Sequence, residues 1–202
     1  MVEKTIEKLK ENGFKVEYFK DRNGAAEYIL NSVSFGNKVG LGGSMTVKSL
    51  NITEKIISKG GIIIDHGVNN LTKEEKYEAM RQELYSDLFL CSSNAVTEDG
   101  ELVNVDGNGN RVAAMMFGPK KVIITVGINK ICKNIKEAYK RIEVYAGPKN
   151  NMRLNCNNPC VKHGSCVNCK SPNRICRVYS IMKRKTSYSD ITVLIVNEEL
   201  GY

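Results

Sequence analysis

The stretch from Leu88 to Gly127 most constrains how this chain folds. It opens with Leu88-Phe-Leu-Cys-Ser-Ser93 and closes with Lys121-Val-Ile-Ile-Thr-Val-Gly127, two apolar runs suited to strands buried on both faces. Runs of that kind read as central strands of a parallel sheet. Between them lies Asn94-Ala-Val-Thr-Glu-Asp-Gly-Glu-Leu-Val-Asn-Val-Asp-Gly-Asn-Gly-Asn-Arg111. Glu98-Asp99-Gly100 and Asp106-Gly-Asn-Gly-Asn110 are turn sequences flanking Leu102–Val105, which reads as a hairpin. A polar rim bent by glycine at the ends of buried strands is where an open α/β sheet binds its ligand. The same residue types are also ordinary hairpin formers, and composition alone does not separate the two readings.

The rest of the chain alternates in the same way. Glu3 to Asn12 has helical spacing with Ile6 and Leu9 inward, and Gly13 follows as a C-cap. Phe14–Phe19 alternates like a strand, Gly24–Val33 like a helix, and Lys38–Leu41 is a short strand. Val47–Lys59 is helical with a break near Asn51, and Ile62–Asp65 reads as a buried strand. Thr72-Lys-Glu-Glu75 is a capping box opening a helix through Tyr85. A helix is expected from about Ile131 to Tyr145, and Ile191–Val196 gives the last strand. Alternation of this kind indicates a single α/β domain over residues 1–202, with a parallel-rich sheet and helices on both faces.

Composition narrows the function classes. At 42% hydrophobic and 26% charged residues the chain is of ordinary globular type. No apolar run reaches the length of a membrane span, and Met1-Val-Glu-Lys-Thr-Ile-Glu lacks a signal-peptide pattern, so a cytoplasmic location without membrane contact is expected. The net charge of +8 is local: residues 153–185 hold eight Lys/Arg and no Asp or Glu.

Five of the seven cysteines, 156, 160, 166, 169 and 176, fall in that basic segment. An odd, clustered set without a secretion signal argues for metal rather than a disulfide framework. Cys160, Cys166, Cys169 and Cys176 are the expected ligands, for zinc or an iron–sulfur cluster, with Cys156 or His163 as substitutes. The spacing matches neither a ferredoxin run nor a zinc ribbon, so the metal's identity stays open. Reduced structural thiols and nucleic-acid contact are the competing readings; one aromatic, Tyr179, and no reading motif make nucleic acid the weakest. Cys91 and Cys132 read as buried apolar fillers, and His66 as a strand-end turn residue within reach of a pocket.

Gly40-Leu-Gly-Gly-Ser-Met-Thr46 joins a strand to a helix. Glycines let backbone N–H groups converge there, which suits an anion; a tight turn capped by Ser44 is the structural alternative. It is neither a Walker A motif nor a G-x-G-x-x-G fingerprint.

Taken together, this loop, the Asn94–Arg111 motif with the following Val112-Ala-Ala, Phe117-Gly-Pro-Lys-Lys-Val-Ile123 and Val126-Gly-Ile-Asn-Lys130 resemble the lactate-utilisation (LUD) domain family. Ala146–Leu154 and Val196–Tyr202 extend the likeness over nearly the whole chain. The resemblance implies the fold of sugar-phosphate isomerases and CoA transferases, with the Cys-rich segment inserted before the last strand. By the same likeness Gly40, Gly42, Gly43, Ser44 and Thr46 would form an anion loop. Asn94, Asn104, Asp106, Asn110 and Asn129 would line the pocket, with Glu98, Asp99 and Lys130 as the catalytic set. Glu98 or Asp99 would act as general acid or base and Lys130 would pair with a phosphate or carboxylate, an exposed helix-start lysine being its bland alternative.

The function the likeness implies is binding of a small anionic metabolite, as a subunit or accessory in lactate or organic-acid use with a redox protein partner. An isomerase or transferase for a phosphorylated or CoA-linked substrate is the second expectation. A non-enzymatic regulator whose Cys-rich segment touches nucleic acid is the third.

Overall fold

The computed structural model describes residues 1–202. Helix α1 (Val2–Glu11) leads into β1 (Lys15–Phe19), α2 (Arg22–Asn31) and β2 (Lys38–Leu41). Two short helices follow, α3 (Met45–Lys48) and α4 (Thr53–Ser58), parted at Asn51, whose φ of +52° stops the first from continuing. Next come β3 (Ile62–Ile64), α5 (Lys73–Glu83), β4 (Leu88–Cys91), β5 (Ala95–Thr97) and β6 (Leu102–Asp106). The Thr72/Glu75 capping box opens α5 as the sequence predicts. Then α6 (Asn110–Met116) and β7 (Lys121–Gly127) lead through a 3₁₀ turn at Ile128–Lys130 to β8 (Ile131–Cys132).

The expected Ile131–Tyr145 helix needs correction at both ends. Ile131 and Cys132 pair with β5 as a short strand, and helix begins only at α7 (Ile135–Arg141). It continues through a π-helical turn at Ile142–Ala146 into α8 (Gly147–Arg153). After α9 (Pro159–His163) the chain forms β9 (Val178–Met182), a strand the sequence reading missed, and ends its sheet with β10 (Asp190–Val196).

Six parallel strands form the main sheet in the order β1-β10-β7-β4-β2-β3. Period-two alternation splits its side chains between two cores. Val122, Ile124, Val126, Ile191, Val193 and Ile195 meet α1 and α6 on one face. Ile123, Leu194 and Val196 meet α2 and α4 on the other. This is the α/β architecture with helices on both faces that the sequence predicts. The expected buried strand at Ile62 is instead the sheet edge, with Ile62 exposed.

A second sheet, β8-β5-β6-β9, stands on the face that carries α1 and α6. The β5–β6 pair is the expected hairpin, and β9 adds to it antiparallel. The Cys-rich segment precedes the last strand, as expected. It leaves α8 and returns through β9 into the second sheet. No helix is long and apolar enough to cross a membrane.

Candidate functional site

Strand β2 runs outward to β3, and the chain then crosses back to β4 on the other side of β2, so the loops after β2 and β4 part at the sheet's carboxyl end. That reversal is where open α/β sheets bind ligands. An open cleft of ≈ 1580 Å³ lies there, lined by Gly42–Thr46 after β2, Ser92–Asn94 after β4 and Lys130 after β7. It is larger than the roughly 300–1,000 Å³ of most small-molecule pockets.

Lys130 forms the floor. Its Nζ donates to Thr46 Oγ1 at 2.8 Å and Ser92 Oγ at 2.9 Å, and the residue is 2% exposed. No carboxylate neutralises it: burial pushes its pKa down to about 7, with Arg141 and Arg111 adding repulsion. The exposed-lysine alternative is thereby overturned. Thr46 is fixed in turn by donating to Leu200 O at 3.1 Å.

The glycine turn contributes differently from expectation. Ser44 Oγ accepts from Val47 N at 3.3 Å and caps α3, a helix of four residues whose dipole is correspondingly small. Gly42 N is taken by Leu90 O at 3.0 Å, and Gly40 does not reach the cleft. Lys130 adds a side-chain cation to the Gly43–Thr46 turn at this end of the sheet.

The polar residues of the central motif surround Arg111, a hub the sequence reading left unassigned. Its Nε and Nη2 reach Asp106 Oδ1 at 2.9 and 2.6 Å. Its Nη1 reaches Asn104 Oδ1 at 2.7 Å, and Nη2 reaches Asn94 Oδ1 at 2.8 Å. Asn94 Oδ1 also accepts from Val105 N at 2.9 Å, and Asp106 Oδ2 from Val112 N at 2.9 Å. Asn94, Asp106 and Arg111 line the cleft, but Asn94 Oδ1 and the Asp106 carboxylate are occupied in building it. Asn104 is buried behind it and Asn129 holds the 200–201 segment, with Oδ1 accepting from Leu200 N and Nδ2 donating to Gly201 O.

Glu98 and Asp99 also sit elsewhere. They occupy the β5–β6 turn outside the cleft, and both pair with Lys4 of α1, at 3.3 and 3.5 Å. The hairpin carries them away from the sheet's carboxyl end.

The acid–base pair in the cleft is another one. His66 Nδ1 stands 2.6 Å from Glu83 Oε1, and Glu83 is wholly buried. A carboxylate only accepts, so Nδ1 carries the hydrogen. Nε2 faces Gly43, where an added Cβ would stand 3.4 Å away. Glu83 Oε2 accepts from Asn110 Nδ2 at 3.3 Å. The hydrogen bond to Glu83 raises the His66 pKa against the opposing effect of burial. Nothing in the sequence around Glu83 announces a buried carboxylate; it is a tertiary contact of the last turn of α5.

Part of the basic segment also points inward, since Arg153, Arg174 and Arg177 line the cleft. Arg184 Nη2 instead donates to Glu11 O at the end of α1, and the Lys185 side chain donates to Thr186 O and Ser189 O. Of the cysteines only Cys156 lines the cleft. Cys91 and Cys132 are buried as expected, burial pushing the Cys91 thiol up to about 12.

The family model of the LUD domain matches residues 2–196. No curated protein matches the chain. Among solved structures the chain is similar to a DUF162 family protein from Deinococcus radiodurans, with a TM-score of 0.56 and 10% identity. That alignment covers 96% of this chain and 95% of the other, and at such identity it speaks to fold alone. The chain is also similar to eIF2B beta from Chaetomium thermophilum, with a TM-score of 0.40 and 16% identity over 58% of this chain and 44% of that one.

Proposed function

This chain belongs to the LUD domain family, and on that premise we propose that its cleft binds a small organic-acid anion. The protein then serves as a subunit or accessory of a lactate- or organic-acid-utilising redox system. One observation carries this reading: the cleft floor holds a buried lysine whose two hydrogen-bond partners are hydroxyls and which has no counter-ion. The charged form of such a lysine is stabilised by an anion that arrives with the ligand. Arg153, Arg174 and Arg177 on the walls add attraction for the same charge.

A second reading, an isomerase or transferase, is favoured by the His66–Glu83 pair. An imidazole oriented by a buried carboxylate, with its other nitrogen free, can take and return a proton. Lys130 would stabilise the negative charge that such a step develops.

Isothermal titration with lactate, pyruvate and inorganic phosphate tests the anion reading on wild type and Lys130→Met. Binding by wild type that Lys130→Met weakens about thirtyfold or more, the loss of a charged hydrogen bond of roughly 2 kcal/mol or more, supports it. Equal binding by both proteins contradicts it. Turnover of a bound acid that His66→Gln abolishes would select the second reading.

A further inference from the structure

All six strands of the main sheet run in the same direction, so the loops that enter them gather at one end, opposite the cleft. The four most exposed aromatic side chains of the protein stand on that end. Tyr188 precedes β10, Phe117 precedes β7, Tyr85 precedes β4 and Phe35 precedes β2, at 98%, 79%, 81% and 90% exposure. Those four strands are neighbours in the sheet, so at about 4.8 Å per strand their entering loops form a row of roughly 15 Å. A lone exposed aromatic needs no explanation, but four gathered at one end mark a contact surface.

The loops are stitched to one another. Gly36 N donates to Gly60 O at 2.9 Å, which joins the loops entering β2 and β3. Asp87 N donates to Lys38 O at 2.9 Å and Lys120 N to Ser86 O at 3.1 Å, joining the entries of β2, β4 and β7. Thr186 Oγ1 and Ser189 Oγ donate to Met116 O at 3.3 and 3.0 Å, which ties the loop carrying Tyr188 to the residue before Phe117. A surface ordered in advance loses less freedom on contact.

Charge decides what this surface faces. The six entering loops, each taken with the first residue of its strand, are residues 12–15, 32–38, 59–62, 84–88, 117–121 and 183–190. They hold eight Lys/Arg and two Asp. Both Asp are already paired, Asp190 with Lys15 and Asp87 with Lys120, each at 2.8 Å. A second copy of the chain would bring two such positive surpluses together, which disfavours self-association through this end. An anionic lipid surface matches both features. Its negative potential attracts lysine and arginine, and aromatic rings seat at headgroup level. Single-stranded nucleic acid shares the charge preference, but it is held in grooves where bases stack on ring faces. Here the rings stand on loops and are almost wholly exposed.

We propose that the end of the sheet opposite the cleft is a peripheral contact surface for anionic membrane lipid, with Phe35, Tyr85, Phe117 and Tyr188 entering the headgroup layer. Surface contact needs no membrane-length helix, and such a helix is all that the apolar runs of the chain exclude. The cleft then faces away from the lipid, and the contact stands independently of what the cleft binds.

The test is co-sedimentation of the full chain with vesicles of phosphatidylglycerol and phosphatidylcholine in equal parts, beside vesicles of phosphatidylcholine alone. Binding is expected to the first and not to the second, and it should weaken as salt rises. Combining Phe117→Ser with Tyr188→Ser should lower the partition coefficient about tenfold or more. Both side chains are exposed enough for that variant to fold as wild type does. Tyr77→Ser, which removes an exposed aromatic beside the cleft, should leave partition unchanged. The chain has no tryptophan, so Tyr188→Trp supplies a single fluorescent reporter. Its emission should shift to the blue on the anionic vesicles and be quenched by bromine-labelled acyl chains. No sedimentation with anionic vesicles, or sedimentation that the double substitution does not weaken, would overturn the proposal. So would vesicles left unbound while a single-stranded oligonucleotide, or a second copy of the chain, is held through the same residues.

Discussion

Lys130 Nζ stands 2.8 Å from Thr46 Oγ1, so the loops after β7 and β2 meet at a buried lysine that no carboxylate balances. Because folding holds the lysine pKa at about 7, below the ordinary lysine value of 10.5, the unfolded chain binds the extra proton between those values. The sign follows: this group makes the protein more stable as pH rises from about 7 to 10.5. Lys130→Met should remove that rise and leave the protein at least as stable as wild type at neutral pH. Thermal unfolding of both proteins across this pH range checks it.

Arg111 ties Ser92, Asn94, Asn104 and Asp106 into one unit. Arg111→Ala strands a buried carboxylate and should cost about 3–5 kcal/mol. Arg111→Lys should recover little of that, since a lysine cannot reproduce the forked contacts. Denaturant unfolding of the two variants measures both.

His66 should titrate above the ordinary histidine value of 6.5, since the Glu83 hydrogen bond favours the imidazolium. The stability it contributes is fully present below the unfolded value and is lost as pH rises through the raised one. Asp65 acts in the same sense as Glu83, while burial and Arg153 oppose them. NMR titration of the imidazole should show Glu83→Gln moving its midpoint down. A midpoint indifferent to that substitution would dissolve the pair.

Gly201 has φ +59°, and a Cβ there would lie 2.5 Å from Thr46 Oγ1. Gly201→Ala should therefore cost roughly 1–2 kcal/mol of backbone strain and crowding and also weaken anion binding by displacing Thr46. Gly36→Ala shares the positive φ but meets nothing within 4 Å, so it should cost stability without touching affinity. Comparing the two separates strain from the contact with the site.

Glu98→Gln and Asp99→Asn should leave anion affinity unchanged, because both carboxylates pair with Lys4 at the β5–β6 turn. Titration calorimetry on the double variant suffices.

Much of the fold is legible in residue order. Leu88–Cys91 and Lys121–Gly127 announce central strands because both faces of each are buried, and Thr72/Glu75 marks a helix start because capping is local chemistry. The site is less legible because its logic is tertiary. Val178–Met182 carries a weak apolar pattern and becomes β9 only by pairing with β6. Turn residues such as Asn104 and Asp106 signal a polar rim, but not that Arg111 occupies them from five and seven residues away. Glu98 and Asp99 look catalytic because carboxylates beside a glycine turn resemble a pocket rim. Only the direction of the hairpin shows that they point away, and only folding brings Glu83 to His66.

If an anion in the cleft completes Lys130 electrostatically, proton uptake on binding measures this directly. At pH 8 a lysine with a pKa of about 7 is mostly neutral. A bound carboxylate that raises that pKa well above 8 should draw in a proton on binding. Titrating pyruvate or lactate calorimetrically at pH 8 in buffers of different ionisation enthalpy reads this uptake. Net proton uptake is expected in wild type and near none for any residual binding by Lys130→Met. Binding without proton uptake, or with equal uptake in both proteins, would contradict it.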